Sequence, residues 1–476
     1  MPANQAQAGP QQPANEIHLL SWKTASNTDQ RTVLDGEVDM QGISEIWAHE
    51  ADLGQDIYAV KMVYFVKGYR KKDEKTGRRL QQSPLVVGYR QLQGEWQYSP
   101  KYVSPKWEKF MVWQQMGSKE WIDMLMEGRH YPTKDGLGME LDKLIMEPAL
   151  YYRKPEKIAR WQAQTSWAER GWTLNTATPE APFGPDGHPV LIEDNTRSCV
   201  WPSRCGFFGY CHESLEIDDP EKFVARKPHH SPEMGLVQVN CGPDIRATGL
   251  EQGIDEHLAL KLKDLMDYAR GREIIWVDRS RVLQRHRCEM SRWLEYHYRG
   301  KGVRPKATAM PLATGIVVHE GLGALMLGKS EDDAVGVAME CYQRIIRDGG
   351  IREDEFTEDG QPITDLADWE TEMEQMCLAE GIIRMANRKV IGNEGGLLER
   401  YRVLAVEKEV IRILHEDPDR VWVWQARADG KKEKRGGLEA RSRDGYQQQL
   451  EGSVAGILGD LGGIEIGGPQ DPYSNA

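Results

Sequence analysis

The chain has 476 residues, 39% of them hydrophobic and 28% charged, with a net charge of −13. That length and balance suit a globular protein of two or three domains, or one large elaborated domain. No apolar run approaches the roughly 18 residues needed to cross a bilayer, and the first 15 residues lack the basic and apolar regions of a signal peptide. An acidic total does not favour non-specific nucleic-acid binding, which needs local basic charge. Basic clusters do occur at Lys67, Arg70, Lys71 and Lys72, at Arg279, Arg281, Arg285 and Arg287, and at Lys431, Lys432, Lys434 and Arg435. Taken alone, each reads most simply as a solvated face.

In chain order, residues 1–15 read as a polar, low-complexity tail. The run IHLLSWKT at 17–24 predicts a strand, residues 40–53 a helix, and 58–66 a second strand of alternating β-branched and aromatic residues. Residues 131–240 are rich in Pro and Gly, with one helical segment near 155–170, and end in a cysteine-rich loop and Pro228-His229-His230. Residues 241–253 read as a connector. The stretch 254–400 is mainly helical, with helices expected over 255–270, 281–298, 314–327, 330–348 and 365–392. Strands are expected at 403–414 and 421–428, and 452–476 reads as a Gly-rich flexible tail. The halves 16–240 and 254–451 are expected to build one composite domain over 16–451.

Seven cysteines, an odd number, argue against a disulfide framework and for metal ligation or free thiols. Cys199, Cys205 and Cys211 form C-x5-C-x5-C within 13 residues of loop. A fourth ligand would come from elsewhere, and Cys288 in the basic Arg285-His286-Arg287-Cys288 segment is the best candidate. Four thiolates could hold zinc or an iron–sulfur cluster, and spacing does not decide between them. Cys241, Cys341 and Cys377 read as structural.

A second constellation consists of acids, a lysine and a histidine near strand ends. Metal-assisted phosphodiester hydrolysis needs carboxylates to hold the ion and gains from a lysine beside the attacking water. Glu407 and Glu409 lie in the strand Val406-Glu407-Lys408-Glu409, and Asp429 follows the next strand at an Asp-Gly turn. Lys23 ends the first strand, and His319 follows the small apolar run Gly315–Val318. Singly, each has a structural explanation. His319-Glu320 is not a zinc-protease helix, because Gly323 stands where the second histidine would be.

Together these stretches resemble the PD-(D/E)XK nuclease superfamily, in its branch of RecB-like and AddB-like phage nucleases with a cysteine cluster. The resemblance rests on 280–298 with 300–305, PLATGIVVHEGL at 311–322, 403–410, 425–430, 19–24 with Gln41, VKMVYFVKGYRKK at 60–72 with Gln82-Ser83-Pro84, and the cysteine loop with 226–233. The family order is rotated here, so the resemblance implies a circularly permuted chain. It implies an α/β fold with a mixed central sheet flanked by helices and an iron–sulfur-bearing elaboration.

The resemblance also implies roles. Asp429, His319 and Glu409 would ligate Mg2+ or Mn2+, with Glu407 or Glu409 supporting the metal or its water. Lys23 would position the attacking water, and Gln41 would orient the lysine or a phosphate. Cys199, Cys205, Cys211 and Cys288 would hold a structural 4Fe–4S cluster, with Zn2+ the alternative. Arg281, Arg285, Lys67 and Arg70 would contact DNA. The implied activity is that of a metal-dependent deoxyribonuclease, an exonuclease of phage recombination or replication. It would work in the host cytoplasm, with recombination or replication proteins as partners and no membrane. One departure stands out: the family's second carboxylate falls at Ser21, which carries no charge. Either another acid, Glu407 or Glu409, replaces it, or the chain is a catalytically impaired DNA-binding or scaffold relic. Glu439 and Arg441, after Asp429, could mimic the missing strand motif, but Lys23 fits the pattern better.

Overall fold

The computed structural model describes residues 16–25, 40–72, 150–176, 205–212, 215–226, 256–298, 302–352, 369–392 and 396–434, with shorter pieces between them. The tails 1–15 and 452–476, the connector 241–253, Cys241, and Glu439 with Arg441 lie outside the described residues.

The core is a mixed seven-stranded sheet. Its strands are β1 (Ile17–Ala25), β2 (Ala59–Val66), β3 (Ile145–Met146), β4 (Tyr151–Tyr152), β5 (Glu273–Val277), β6 (Tyr401–Glu416) and β7 (Arg420–Lys434). The order is β5-β7-β1-β2-β3, with β6 beside β7 and β4 beside β2. β5 runs parallel to β7, β7 antiparallel to β1, and β1 parallel to β2. The parallel β1–β2 step is crossed by helix α1 (Met40–Leu53), because parallel neighbours need a long connection.

β1 and β2 are buried almost throughout because both faces of the sheet are covered. Leu20, Trp22, Val63 and Phe65 face one core, shared with α6 (Met310–Met326), α7 (Glu331–Gly349) and α8 (Trp369–Ala386). Ile17, Leu19, Val60 and Met62 face the other, shared with Ile46 and Trp47 of α1 and Trp161 of α2 (Pro155–Thr176). The period-2 alternation of strand side chains thus sends alternate residues into two cores. Three further helices are α3 (Glu256–Tyr268), α4 (Arg279–Arg287) and α5 (Glu289–Tyr296), with short helical turns at Phe208–His212, Asn387–Ile391 and Leu397–Arg400. No helix among the described residues is long and apolar enough to cross a membrane.

Four expectations need correction. The helix expected over 281–298 is two helices, broken at Cys288, whose extended backbone closes α4 and opens α5. The last two strands are longer than 403–414 and 421–428, meeting in a tight turn where the Asp417 carboxylate accepts from the N–H groups of Asp419 and Arg420. Asp429-Gly430 is therefore not a turn. Gly430 pairs with Leu20, and β7 continues so that Ile17 pairs with Glu433. The basic run there is not a solvated face either: Lys431 and Lys432 are buried, Lys432 with its ammonium 3.7 Å from the Tyr401 ring centroid.

Candidate functional site

The site forms where the first and last strands meet. Register alignment of β1 with β7 sets Asp429 beside Ser21 and Trp22. Its Oδ2 accepts from the Trp22 N–H at 2.6 Å and from Ser21 Oγ at 3.3 Å. Its Oδ1 lies 3.3 Å from His319 Nδ1, presented by α6. Burial pushes the Asp429 pKa up, but His319, the Lys23 charge and the Trp22 N–H outweigh it and hold the carboxyl below its ordinary range.

Strand alternation puts Ser21 and Lys23 on one face, towards α1. Gln41, in the first turn of α1, ties them together. Its amide donates to Ser21 Oγ at 3.0 Å and to Glu45 Oε1 at 2.5 Å, and its carbonyl oxygen accepts from Lys23 Nζ. Glu45, one turn along α1, is 3% exposed, and its Oε2 has no hydrogen-bond partner among the described residues. Burial, then the charge of Asp429, push the Glu45 pKa up to about 8 against the opposing pull of Lys23 and Gln41. The sequence reading missed Glu45; its signal was the i, i+4 relation to Gln41, which places both on one helix face.

Glu409 is placed differently. Its carboxylate lies 3.5 Å from His230 Nδ1, and His230 Nε2 lies 3.9 Å from Asp278 Oδ2. Asp278 also caps α4, accepting from the Arg281 N–H at 2.8 Å. His230 and Asp278 were not singled out from sequence; they come from segments far apart in the chain. Glu407 lies on β6, but its side chain falls outside the described residues. Asp429, Glu45, His319, Glu409 and His230 all line one cleft of about 1070 Å³. The buried Gln425 lines it too, and neither polar atom of its amide has a partner among the described residues.

No three His, Cys, Asp or Glu side chains among the described residues close into a ready-made metal cage. The candidate ligands of a hard divalent cation here are Asp429, paired with His319, and the buried Glu45, which burial first and then the charge of Asp429 push to hold a proton and whose Oε2 has no hydrogen-bond partner among the described residues.

The cysteines sit apart from this cleft's lining. Cys205 donates its N–H to the Cys199 carbonyl at 2.8 Å, and its sulfur lies 3.9 Å from Ser291 Oγ on α5. The loop packs with α5 around Phe207, Phe223, Trp293 and Leu294, so it comes to the helix that Cys288 opens. Cys199 Sγ is 3.4 Å from His212 Nε2, a neighbour not anticipated, while Cys211 is exposed and Cys288 buried. Thiolate chemistry suits zinc or an iron–sulfur cluster, but these sulfurs are not gathered into one cage. Cys341 and Cys377 are buried in helices, as expected.

The four residues expected at a DNA surface each have protein partners. Arg281 is buried, with its guanidinium 2.6 Å from Glu233 and stacked on Tyr296. Arg285 donates to Glu289 and to the Ala168 carbonyl. Lys67, its pKa lowered to about 8 by burial, donates to the Pro311 carbonyl. Arg70 donates to Thr371 and pairs with Glu374. No family model matches the chain, and no curated protein and no solved structure matches it.

Proposed function

We propose that this protein is a metal-dependent DNA nuclease with a circularly permuted PD-(D/E)XK core, in which Glu45 takes the part of the acid missing at Ser21. The observation that carries this reading is the linkage Asp429–Ser21–Gln41–Lys23 with Glu45 beside it, assembled from β7, β1 and α1. The topology is in keeping with it: a strand bearing the Asp runs antiparallel to one bearing the Lys, and a helix bearing the Gln leads to a parallel strand.

Asp429, Glu45 and His319 would hold Mg2+ or Mn2+, which when bound supplies Lewis-acid activation of water and stabilises charge on the phosphate. The chain's own residues do the rest. Lys23 is fixed by Gln41, so its ammonium is positioned to donate to the attacking oxygen or a phosphate oxygen without reorganising. Ser21 and the Trp22 N–H hold one Asp429 oxygen, leaving the other towards His319 and the cleft. Without the ion, burial and then the charge of Asp429 favour a protonated Glu45 carboxyl, and an ion bound there would displace that proton. A cluster or zinc ion on Cys199, Cys205, Cys211 and Cys288 belongs to the same proposal as a structural staple only; iron, sulfide and zinc analysis of the purified protein tests it.

Labelled linear DNA incubated with Mg2+ or Mn2+ should be degraded by the wild-type protein and not by Asp429→Ala, Lys23→Ala or Glu45→Gln. Cleavage that persists in all three sinks the assignment. Cleavage that appears only in Ser21→Asp favours the second reading, a DNA-binding relic, which Ser21 itself suggests.

A further inference from the structure

Helix α1 carries a polar stripe through the interior: Gln41, Glu45, His49 and Asp52, spaced four, four and three residues apart and so on one face. The first two enter the Asp429 site. His49 is fully buried, and burial, then the Lys431 charge, hold its pKa down at about 3, so it is neutral. Asp52 ends the stripe and meets three ammonium groups from three elements. Lys261 of α3 is 2.7 Å away, Lys408 of β6 3.2 Å and Lys431 of β7 3.4 Å.

One lysine would satisfy one carboxylate. The second and third bring like charges together and must be desolvated in part, which opposes folding. The Asp52 and Lys431 side chains are 2% and 3% exposed, but Lys261 and Lys408 are 27% and 24% exposed. The cluster therefore shows two positive charges in excess, on its two accessible members. Lys408 lines the cleft, and Lys261 follows by one turn of α3 a residue that lines it, Leu258.

We propose that Lys261 and Lys408, braced by Asp52 and Lys431, form a phosphate subsite for the nucleic-acid backbone, remote from the bond that is cut. This rests on the nuclease reading of the Asp429 site. The compact ammonium is suited to phosphate as a point charge, and nothing in the cluster reads a base. The eleven helical steps from Gln41 to Asp52 span about 16 Å. At about 3.4 Å per nucleotide of a stacked strand, that is roughly five nucleotides. Oligonucleotides shorter than this engage the Asp429 end of the cleft without reaching the lysines.

The test is binding of fluorescent oligonucleotides of about 3 and about 15 nucleotides to the full chain, without divalent metal, over a range of salt. The longer one should bind with the steeper salt dependence. Lys261→Gln and Lys408→Gln should each weaken it several-fold and lower the salt slope by about one. Lys261→Arg should restore the slope. Lys306→Gln, which removes an exposed lysine paired with Glu221, should leave it unchanged. Equal slopes in wild type and both glutamine variants, with melting temperatures showing all are folded, overturn the proposal. So does an equal loss in Lys306→Gln, or no binding of the longer oligonucleotide by the wild type. If the slope is lost as described but the wild type cleaves no DNA with Mg2+ or Mn2+, the subsite stands and the nuclease reading falls.

Discussion

Glu45 makes the site's electrostatics measurable without any substrate. Its carboxyl titrates near about 8 in the folded chain against 4.5 ordinarily, chiefly through burial and then the charge of Asp429. An acid whose pKa is raised by folding binds its proton more tightly in the native state. Between about pH 4.5 and 8 the folded protein holds more protons than the unfolded one, so stability falls as pH rises through that window. At 1.36 kcal/mol per tenfold change, the interval amounts to about 5 kcal/mol. Glu45→Gln keeps the hydrogen-bonding shape but removes the titration. Urea unfolding in metal-free buffer should therefore give similar stabilities for variant and wild type near about pH 5, and a variant more stable by several kcal/mol near about pH 9. Mg2+ should restore wild-type stability at the higher pH, because a bound cation replaces the proton, and its affinity should rise up to tenfold per pH unit below about 8. The difference curve reports Glu45 together with the Asp429 charge it is coupled to, and cancels titrating groups remote from them. A flat difference curve would refute the argument that this carboxyl is buried beside Asp429's charge.

Two histidines act with the opposite sign. His49 and His297 are both held down to about 3, chiefly by burial and then by the Lys431 and Arg292 charges respectively. The unfolded chain takes up protons first, so stability drops as pH falls from about 6.5 towards 3, and His49→Gln should flatten part of that slope. Arg292 and Glu169 form a two-pronged ion pair at 2.6 and 2.8 Å, both side chains 1% exposed. Arg292→Met should cost about 3–5 kcal/mol by urea unfolding, while the double change with Glu169→Leu should recover most of it; no recovery would mean the pair itself is the stabiliser. Gly302 has φ +74°, and a Cβ there would lie 1.9 Å from the Glu295 carbonyl oxygen. Gly302→Ala should destabilise by about 3 kcal/mol or more, and an unchanged melting temperature would contradict the packing of the α5 exit.

Local patterns carried the elements that local physics decides. The 40–53 helix is matched residue for residue because its apolar spacing and its flanks both agree with a helix. The last strand was read as ending before Asp429 because Asp-Gly followed by four charged residues has the composition of a turn. What makes it a strand is a partner more than 400 residues away in sequence, as the Ser21–Asp429 separation of 408 shows. The same non-locality hid half of the site. Lys23, His319 and Asp429 stood out as residue types and Gln41 through the resemblance, and the structure joins them. Glu409 was grouped with them by type, but it faces His230, which in turn lies near Asp278. Glu45 was not singled out, since burial and a neighbouring charge leave no trace in composition.

The pairing of β1 with β7 also bears on when the proposed site is complete. Asp429 comes to Ser21 and Trp22 only when the strand at 420–434 docks beside the strand at 17–25. A nascent chain still on the ribosome short of that last strand has Lys23 and Gln41 but no Asp429. Long-range strand closure of this kind is also a slow step in folding. The proposed hydrolytic centre would thus be assembled only once these two strands pair, and a copy in which they have not paired would lack it.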